Sequence, residues 1–105
     1  MNKKLWEILV PVTHILGTIK KKHHKKWDHK ISKIAGGLTL FKPKKGRWLS
    51  AGKLFREKMI PVRIAATEEE IKKIADLTAE HYSQEAVMYY LVSEHVVIYE
   101  RISSN

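Results

Sequence analysis

The sequence predicts one α+β domain, in which a four-stranded antiparallel sheet carries two helices on one face. Three observations predict it: the chain has 105 residues, 44% of them are hydrophobic, and strand-like and helix-like stretches alternate along it. No apolar run approaches the ~18 residues of a membrane-spanning helix. We therefore expect a single cytoplasmic domain over residues 1–105.

The first half of the chain carries a strand, a helix and a second strand. Residues 5–12 are rich in β-branched and aromatic side chains, and Pro11 is expected at an edge or at the strand's end because it lacks an N–H donor. A loop is predicted over 13–22. Apolar residues then recur at helical spacing, and the glycine pair 36–37 ends the helix. These apolar residues are Trp27, Ile31, Ile34 and Ala35. A short strand is predicted over 38–41.

The second half begins with an excursion and continues with a strand and a helix. Residues 42–53 hold five basic residues and form the least regular stretch, which we expect to extend beyond the sheet. Residues 60–66 alternate as in a half-buried strand. Thr67 and Glu70 have the spacing of a capping box, which predicts a helix start there and an end near Ser83.

Strands over 86–92 and 96–102, joined by a tight turn, complete the chain. The order βαββαβ predicts a ferredoxin-like sandwich, here with an extra C-terminal strand. This fold carries many functions and identifies none. Both faces of the strand over 86–92 are apolar, whereas a two-layer domain covers one face only. We therefore expect the chain to assemble with copies of itself through the open face or the excursion.

The charge is concentrated in one half of the chain. Residues 1–63 hold 17 Lys and Arg against 3 acids, whereas residues 64–105 hold 3 against 8. A one-sided positive field attracts nucleic acids, nucleotides or anionic lipid surfaces, although a lysine-rich solvated surface has the same composition. The sequence contains no cysteine, which excludes disulfides, thiolate catalysis and thiolate metal sites.

Two basic segments are candidates for ligand binding. Lys21, His23 and His24 lie in a cluster that suits a phosphate at a helix start, or is simply a solvated helix end. Arg47 and Trp48 suit a nucleobase held by stacking and cation–π contact, or Trp48 packs under its own loop. The histidines lack metal-binding spacing, and the adjacent pair points about 100° apart on a helix, so no metal site is expected.

Polar residues form two further candidate functional sites. Glu57 follows Arg56 and is the only acid within residues 29–67, which suits a cationic reaction centre or neutralisation of Arg56. The segment after the second helix offers a phenol, an amide and an acid, which also suit ordinary capping and turn chemistry. These residues are Tyr82, Gln84 and Glu85. Phosphate-binding, dinucleotide-binding and serine-hydrolase motifs are absent, as is the aromatic motif of RNA-binding domains.

Several short motifs together resemble the small phage S-adenosylmethionine (SAM) lyases. They also resemble CRISPR-associated relatives that degrade the SAM–AMP conjugate used as a signal in some type III systems. The motifs are Gly-Lys-Leu-Phe-Arg-Glu at 52–57, Pro-Val-Arg-Ile-Ala at 61–65, Ile-Ala at 74–75 and Tyr-Ser-Gln-Glu-Ala-Val-Met-Tyr-Tyr at 82–90. The resemblance would cover most of the chain, its linear pattern runs from Leu38 to Tyr90, and each motif is short and degenerate.

The resemblance implies a trimer like that of the PII signalling proteins, with active sites between subunits. In the implied reaction the methionyl carboxylate attacks its own γ-carbon, expels methylthioadenosine and leaves homoserine lactone. No metal or cofactor is needed, because the site positions the substrate and places negative potential near the sulfonium. The implied partner is a small nucleotide, SAM or SAM–AMP, rather than a membrane or a nucleic acid.

Residue by residue, the resemblance implies catalytic roles for Glu57, Tyr82 and Glu85. It also implies a substrate-binding role for Gln84. The other expected substrate-binding residues follow from their own charge and ring chemistry: Lys21, His23, His24, Arg47, Trp48 and Arg56. Two departures stand out: Phe55 lies where some phage members carry tyrosine, and the segment between Glu57 and the next strand is shorter here. The basic half favours the AMP conjugate, which carries an added phosphate.

Two other functions fit the sequence. One is a PII-like nucleotide sensor or sponge that uses the same pocket without catalysis. The other is a basic nucleic-acid-binding accessory protein, whose affinity would fall steeply with salt.

Overall fold

The computed structural model describes residues 3–14, 17–35, 38–40, 42, 44–50, 53–99 and 101–102, and of these it gives the backbone alone for 14, 38–40, 44–50 and 53–57. Its strands are β1 (Lys4–Pro11), β2 (Thr13–His14), β3 (Gly17–Thr18), β4 (Leu38–Leu40), β5 (Lys44–Ser50), β6 (Lys53–Ala66) and β7 (Tyr89–Ser93). The helices are α1 (Lys21–Ser32) and α2 (Glu68–His81). No helix in these ranges is long and apolar enough to cross a membrane.

The main sheet is antiparallel and has the strand order β4-β6-β1-β7. Strand β1 is central: it pairs with β6 from Lys4 opposite Ala66 to Pro11 opposite Met59, and with β7 on its other edge. Pro11 ends β1, as predicted. With α1 after β1 and α2 after β6, this is the ferredoxin-like βαββαβ arrangement, and the predicted fold class is confirmed.

The core lies between the sheet and the two helices. Alternate residues of β1 and β6 are buried on the helix side, because successive side chains of a strand point to opposite faces. They are Trp6, Ile8, Val10, Val62, Ile64 and Ala66. The helices contribute Trp27, Ile31, Ile71 and Ile74 to the same cluster. The predicted apolar face of α1 is therefore confirmed as core, and α2 packs its own buried residues against the same cluster.

The two helices begin in different ways. At α2, the Thr67 hydroxyl accepts from the Glu70 N–H (3.2 Å) while the Thr67 N–H donates to the Glu70 carboxylate (2.8 Å), which confirms the capping box. Helix α1 has no side-chain cap and no acid in its first turn. It is held instead by Trp27, which is 1% exposed and whose indole N–H donates to the Thr78 hydroxyl at 2.9 Å.

The excursion is a regular hairpin rather than an irregular stretch. Strand β5 pairs with β6 from Lys44 opposite Met59 to Ser50 opposite Lys53. Strand β6 therefore begins at Lys53, earlier than the predicted residue 60, because β5 supplies hydrogen-bonding partners along that whole length. The register with β1 ends at Met59, so residues 53–58 extend past β1 by about 20 Å. The prediction that the excursion projects beyond the sheet is confirmed.

The predicted loop over 13–22 was wrong in part. It contains the short β2–β3 ladder, with Gly17 at φ +119°, a conformation that glycine adopts without steric cost. Helix α1 also begins inside it, at Lys21.

The prediction of an extra C-terminal strand over 96–102 was wrong. Residues 95–99 and 101–102 form no strand, and β7 runs over Tyr89–Ser93. Val97, Tyr99 and Ile102 are 84–90% exposed. A strand needs a neighbour to pair with its N–H and C=O groups, and within the described chain no strand pairs with this segment.

Candidate functional site

The topology brings most of the predicted site residues to one end of the sheet. Strand β1 ends there at Pro11, opposite Met59, where the β5–β6 hairpin begins to project. Helix α1 starts shortly after β1, so its first residues lie at this end of the sheet. Helix α2 follows Ala66 at the opposite end and runs back, so its last residues also lie here. The segment that follows α2 joins β1 here, because the Leu9 N–H donates to the Met88 carbonyl at 3.0 Å.

Two histidines clasp the helices together at this end. The His23 Nε2 donates to the His81 carbonyl and the His81 Nε2 donates to the His23 carbonyl, both at 2.7 Å. The two rings stack with centroids 3.9 Å apart and planes at 18°. Because each acceptor is a carbonyl oxygen, each Nε2 must carry a proton. We call this reciprocal pair the histidine clasp.

Burial and nearby positive charge, rather than the clasp hydrogen bond, favour the neutral form of His81. Its other nitrogen, Nδ1, lies 3.2 Å from the Lys30 ammonium, and since an ammonium only donates, Nδ1 must accept. A proton added at Nδ1 would lie close to the Lys30 ammonium and to the stacked His23 imidazole. Burial is the main cause that lowers the pKa of His81. The hydrogen bond to the His23 carbonyl acts against it, and the nearby charges of His23 and Lys30 lower the pKa further.

His24 and Tyr82 form a second contact beside the clasp. The Tyr82 side chain is 4% exposed, and its hydroxyl lies 2.7 Å from the His24 Nδ1. Burial raises the pKa of Tyr82 far above its ordinary value, so this phenol keeps its proton. Burial also lowers the pKa of His24, with His23 acting in the same direction and Asp28 against it. Burial raises the pKa of the Asp28 carboxyl.

The turn after α2 carries the remaining candidates of this region. Ser83 adopts φ 52°, and the Gln84 N–H donates to the Ala79 carbonyl at 2.8 Å. Glu85 is exposed, and Gln84 is half-buried. Lys21 is exposed in the first turn of α1. The structure thus brings His23, His24 and Tyr82 into contact and places Lys21, Gln84 and Glu85 on the elements beside them.

The other candidates lie on the β5–β6 hairpin, where the structure describes the backbone. Arg47 pairs with Arg56, Trp48 with Phe55, and Gly46 with Glu57. Two segments that are separate in sequence therefore become direct neighbours at the same end of the fold. The side chains of Arg47, Trp48, Arg56 and Glu57 lie outside the described part of the structure, so their predicted roles stay predictions.

Sequence reasoning overlooked His81, Lys30 and Asp28. His81 was given no role, and the divergence of the adjacent His23 and His24 argued only against a metal site. In the structure that divergence lets the pair contact consecutive residues, His81 and Tyr82. A signal was present: Trp27 within α1 and Tyr82 just after α2 are large buried rings within four residues of a histidine. Among the described residues, no three acidic or histidine side chains are grouped so as to hold a metal ion.

The sequence matches no protein-family model and no curated protein, whereas solved structures share its fold. The divalent cation tolerance protein CutA1 of Thermus thermophilus is 9% identical with a TM-score of 0.60, over 95% of this chain and 87% of that one. The PII-like protein CutA of Nostoc, in its apo form, is 12% identical with a TM-score of 0.55, over 86% and 79%. A phage SAM lyase in complex with S-methyl-5′-thioadenosine is 16% identical with a TM-score of 0.65, over 89% and 82%. The chain therefore has the fold that the CutA proteins and this phage lyase share.

Proposed function

We propose that this protein is a lyase that cleaves SAM–AMP, or SAM itself, and so switches off a type III CRISPR nucleotide signal. The observation that carries the proposal is the likeness of fold to a phage SAM lyase in complex with S-methyl-5′-thioadenosine. The motifs at 52–57 and 82–90 support it, because residues 53–57 of the first and the beginning of the second lie at the same end of the sheet.

The proposed reaction is intramolecular and needs no other reactant. A carboxylate oxygen of the methionine moiety attacks its own γ-carbon and forms the C–O bond of homoserine lactone. The γ-carbon–sulfur bond breaks, and its electron pair neutralises the sulfonium. Methylthioadenosine leaves, with its AMP still attached when SAM–AMP is the substrate. No proton is gained or lost, so the protein contributes by positioning and electrostatics.

Glu57 is the residue that we assign to the reacting end of the substrate. The sulfonium loses its positive charge as the C–S bond breaks, so a carboxylate beside it stabilises the bound substrate more than the transition state. We therefore assign Glu57 to binding of the methionine ammonium. This contact brings the substrate's own carboxylate into line with the γ-carbon. Glu85 is the second candidate carboxylate, and Gln84 is a neutral hydrogen-bonding group beside it.

The basic residues are assigned to the nucleotide. Arg47 and Trp48 on the hairpin suit the adenine, Arg56 lies opposite Arg47 in the register, and Lys21, His23 and His24 suit a phosphate. We propose that the protein acts as a trimer with the site between subunits. The exposed apolar side chains of β7 and of residues 97–102 support an assembly of this kind.

The test is single-turnover incubation of the protein with SAM and, separately, with SAM–AMP. Mass spectrometry then measures methylthioadenosine, its AMP adduct and homoserine lactone. The proposal expects release of the lactone in equal amount with one of the two thioadenosine products. If neither substrate is cleaved at stoichiometric enzyme, the lyase function is wrong.

The second candidate function is a PII-like nucleotide sensor or sponge. The fold shared with the PII-like CutA protein favours it, because that likeness requires no chemistry. It expects saturable binding of SAM–AMP or another adenine nucleotide in calorimetry with the ligand recovered intact. Cleavage of the bound ligand would exclude it.

A further inference from the structure

The contact between Tyr82 and His24 fixes the chemistry of an imidazole at the surface of α1. The Tyr82 ring is buried among His23, His24, Trp27 and His81, and its hydroxyl lies 2.7 Å from the His24 Nδ1. Among the described residues, this nitrogen is the hydroxyl's one hydrogen-bonding partner. His24 itself is half-buried.

The direction of this hydrogen bond follows from what each atom can do. If the His24 Nδ1 donated, the buried Tyr82 O–H would be left without an acceptor, which costs free energy. If the Tyr82 O–H donates, both groups are satisfied. The proton of a neutral His24 is then on Nε2. The two ring nitrogens of an imidazole point to opposite sides, so the Nε2–H points away from Tyr82 and the core.

The outward nitrogen lies in a positively charged surrounding. Lys20 and Lys21 are exposed at the start of the helix: Lys21 precedes His24 by three residues and lies on its side of α1, and Lys20 is the residue just before the helix. The titratable groups around His24 are His23 and Asp28 on α1 and His81 and Tyr82 at the end of α2. Asp28 and His24 are not paired at salt-bridge distance among the described residues, so Nε2 has no described protein partner.

We propose that Tyr82 is a positioning residue that holds His24 as a neutral Nε2–H donor to a phosphate oxygen of a nucleotide, next to the ammonium groups of Lys20 and Lys21. The proposal rests on the proposed function, since SAM–AMP carries the phosphate, and it refines the role of Tyr82. Tyr82 as a residue is 4% exposed and its hydroxyl is bonded to an imidazole, so we do not expect it to contact a substrate directly. Tyr82 acts through His24, whose outward Nε2–H contacts the phosphate.

The consequence is a phosphate contact that does not depend on histidine charge. An ordinary histidine binds phosphate best as a cation and loses that charge above pH ~6.5. His24 is different, because burial lowers its pKa and the Tyr82 hydroxyl bonds to the neutral ring. Its contribution to binding is therefore the same at pH 7 and at pH 8.5.

The experiment compares AMP with adenosine, which lacks the phosphate, by calorimetry at pH 7 and pH 8.5. His24→Asn is the main variant, because the asparagine amide reaches the place of Nδ1 and keeps the Tyr82 contact but removes the outward donor. His29→Asn, exposed on the same helix, is the matched control. We expect His24→Asn to weaken AMP binding about tenfold at both pH values, without weakening adenosine binding.

Tyr82→Phe separates positioning from packing. It keeps the ring and removes the hydroxyl, so His24 loses its fixed tautomer. We expect AMP binding to weaken severalfold at pH 8.5 and to recover in part at pH 6.5, where a released imidazole gains a second N–H. A purely structural role of Tyr82 would weaken binding equally at both pH values. Long-range ¹H–¹⁵N correlation spectra of the wild type read the tautomer directly, whether or not a variant folds, and we expect the proton on Nε2.

Three results would overturn the inference: a His24 proton on Nδ1, wild-type AMP affinity in His24→Asn, or an effect of that variant that disappears at pH 8.5. The turnover assay is independent of these measurements. If SAM–AMP is cleaved while His24→Asn binds AMP like the wild type, the inference fails and the lyase stands. If the AMP results hold without turnover, the lyase fails and the phosphate contact stands.

Discussion

Histidine protonation links the folding of this protein to pH at the residue scale. Burial is the first cause that lowers the pKa of both His24 and His81, so the folded protein favours the neutral form of these two imidazoles. Between each lowered pKa and the ordinary value near 6.5, the unfolded chain binds more protons than the folded one. The free energy of unfolding therefore falls as the pH drops through this window. Above the window, the contribution of these two histidines to stability is complete.

We predict that the free energy of unfolding decreases from pH 7.5 to pH 5 in chemical denaturation. His81→Gln should show a smaller decrease, because the glutamine amide still donates to the His23 carbonyl but takes up no proton. His29→Asn, on the exposed face of α1, should follow the wild type. A His81→Gln curve parallel to the wild type over this range would show that the clasp does not control the pH dependence.

Glu57→Gln tests the carboxylate at the proposed reaction centre. The variant keeps the shape of the side chain and removes its charge, so the methionine moiety loses its anchor. Since misplacement of about 1 Å can cost on the order of a hundredfold in rate, we predict a larger fall in kcat than in substrate affinity. Single-turnover release of the thioadenosine product measures the first, and calorimetry measures the second.

Glu85→Gln is the matched control for Glu57. If Glu57→Gln turns over as fast as the wild type and Glu85→Gln does not, the catalytic assignment moves to Glu85. If both variants keep the wild-type rate, neither carboxylate positions the substrate.

Trp48→Ala tests whether the hairpin stacks on the adenine. One stacked base is worth about 1–3 kcal/mol, so the dissociation constant of the nucleotide should rise about fivefold or more. Trp48→Phe keeps an aromatic surface and should lose less. Calorimetry with AMP gives both values, and equal affinity of Trp48→Ala and the wild type would assign Trp48 to packing.

At the element scale, the two helices are stabilised by different parts of the molecule. Helix α2 has a capping box and three acids in its first turn, which suit the positive end of the helix dipole. Helix α1 begins with Lys21 and Lys22 at that positive end and has no acid in its first turn, which is unfavourable. Its stability comes from Trp27, Ile31 and the clasp, so α1 depends on α2 and the sheet.

Thr67→Ala removes one half of the capping box. The Glu70 N–H loses its acceptor, and we predict a loss of about 1 kcal/mol in the free energy of unfolding. Thr67→Ser keeps the hydroxyl and should stay close to the wild type. Urea denaturation at neutral pH measures both, and equal losses in the two variants would show that the methyl group matters rather than the cap.

At the scale of the whole molecule, apolar surface remains uncovered. Tyr90, Leu91 and Val92 are exposed on β7, and the segment that follows is more exposed still, with Val97 at 85%. On the sheet face away from the helices, Glu7 is only 8% exposed and pairs with the Arg63 guanidinium at 3.2 Å. A face that combines exposed apolar groups with a buried carboxylate, paired to a half-exposed arginine, resembles an interface more than a solvated surface.

We predict a trimer at micromolar concentration, measured by light scattering after size exclusion. Val97→Glu should weaken it, because burial of a carboxylate in the interface is costly. Lys72→Glu, on the exposed face of α2, introduces the same side chain elsewhere and should leave the mass unchanged. A strict monomer for the wild type would contradict both the assembly and a site shared between subunits.

The sequence by itself determined the elements whose signals are local. Alternation in β6, helical spacing around Trp27 and Ile31, and the Thr67–Glu70 pair each depend on residues close together in the chain, so the fold class followed from their order. The projecting excursion followed as well, since glycine and lysine are poor candidates for a central strand. The predicted C-terminal strand failed because strand formation requires a partner, and the local pattern does not show whether one is present.

Only the tertiary structure decided how the histidines are used. His23 and His81 are 58 residues apart, and no local pattern states that their rings stack or that each donates to the other's carbonyl. The same holds for Tyr82, whose buried hydroxyl selects the protonated nitrogen of His24. Such contacts depend on how α1 and α2 pack over the sheet. That packing is set by the core as a whole, so the chemistry at this end of the fold follows from tertiary structure and not from spacing.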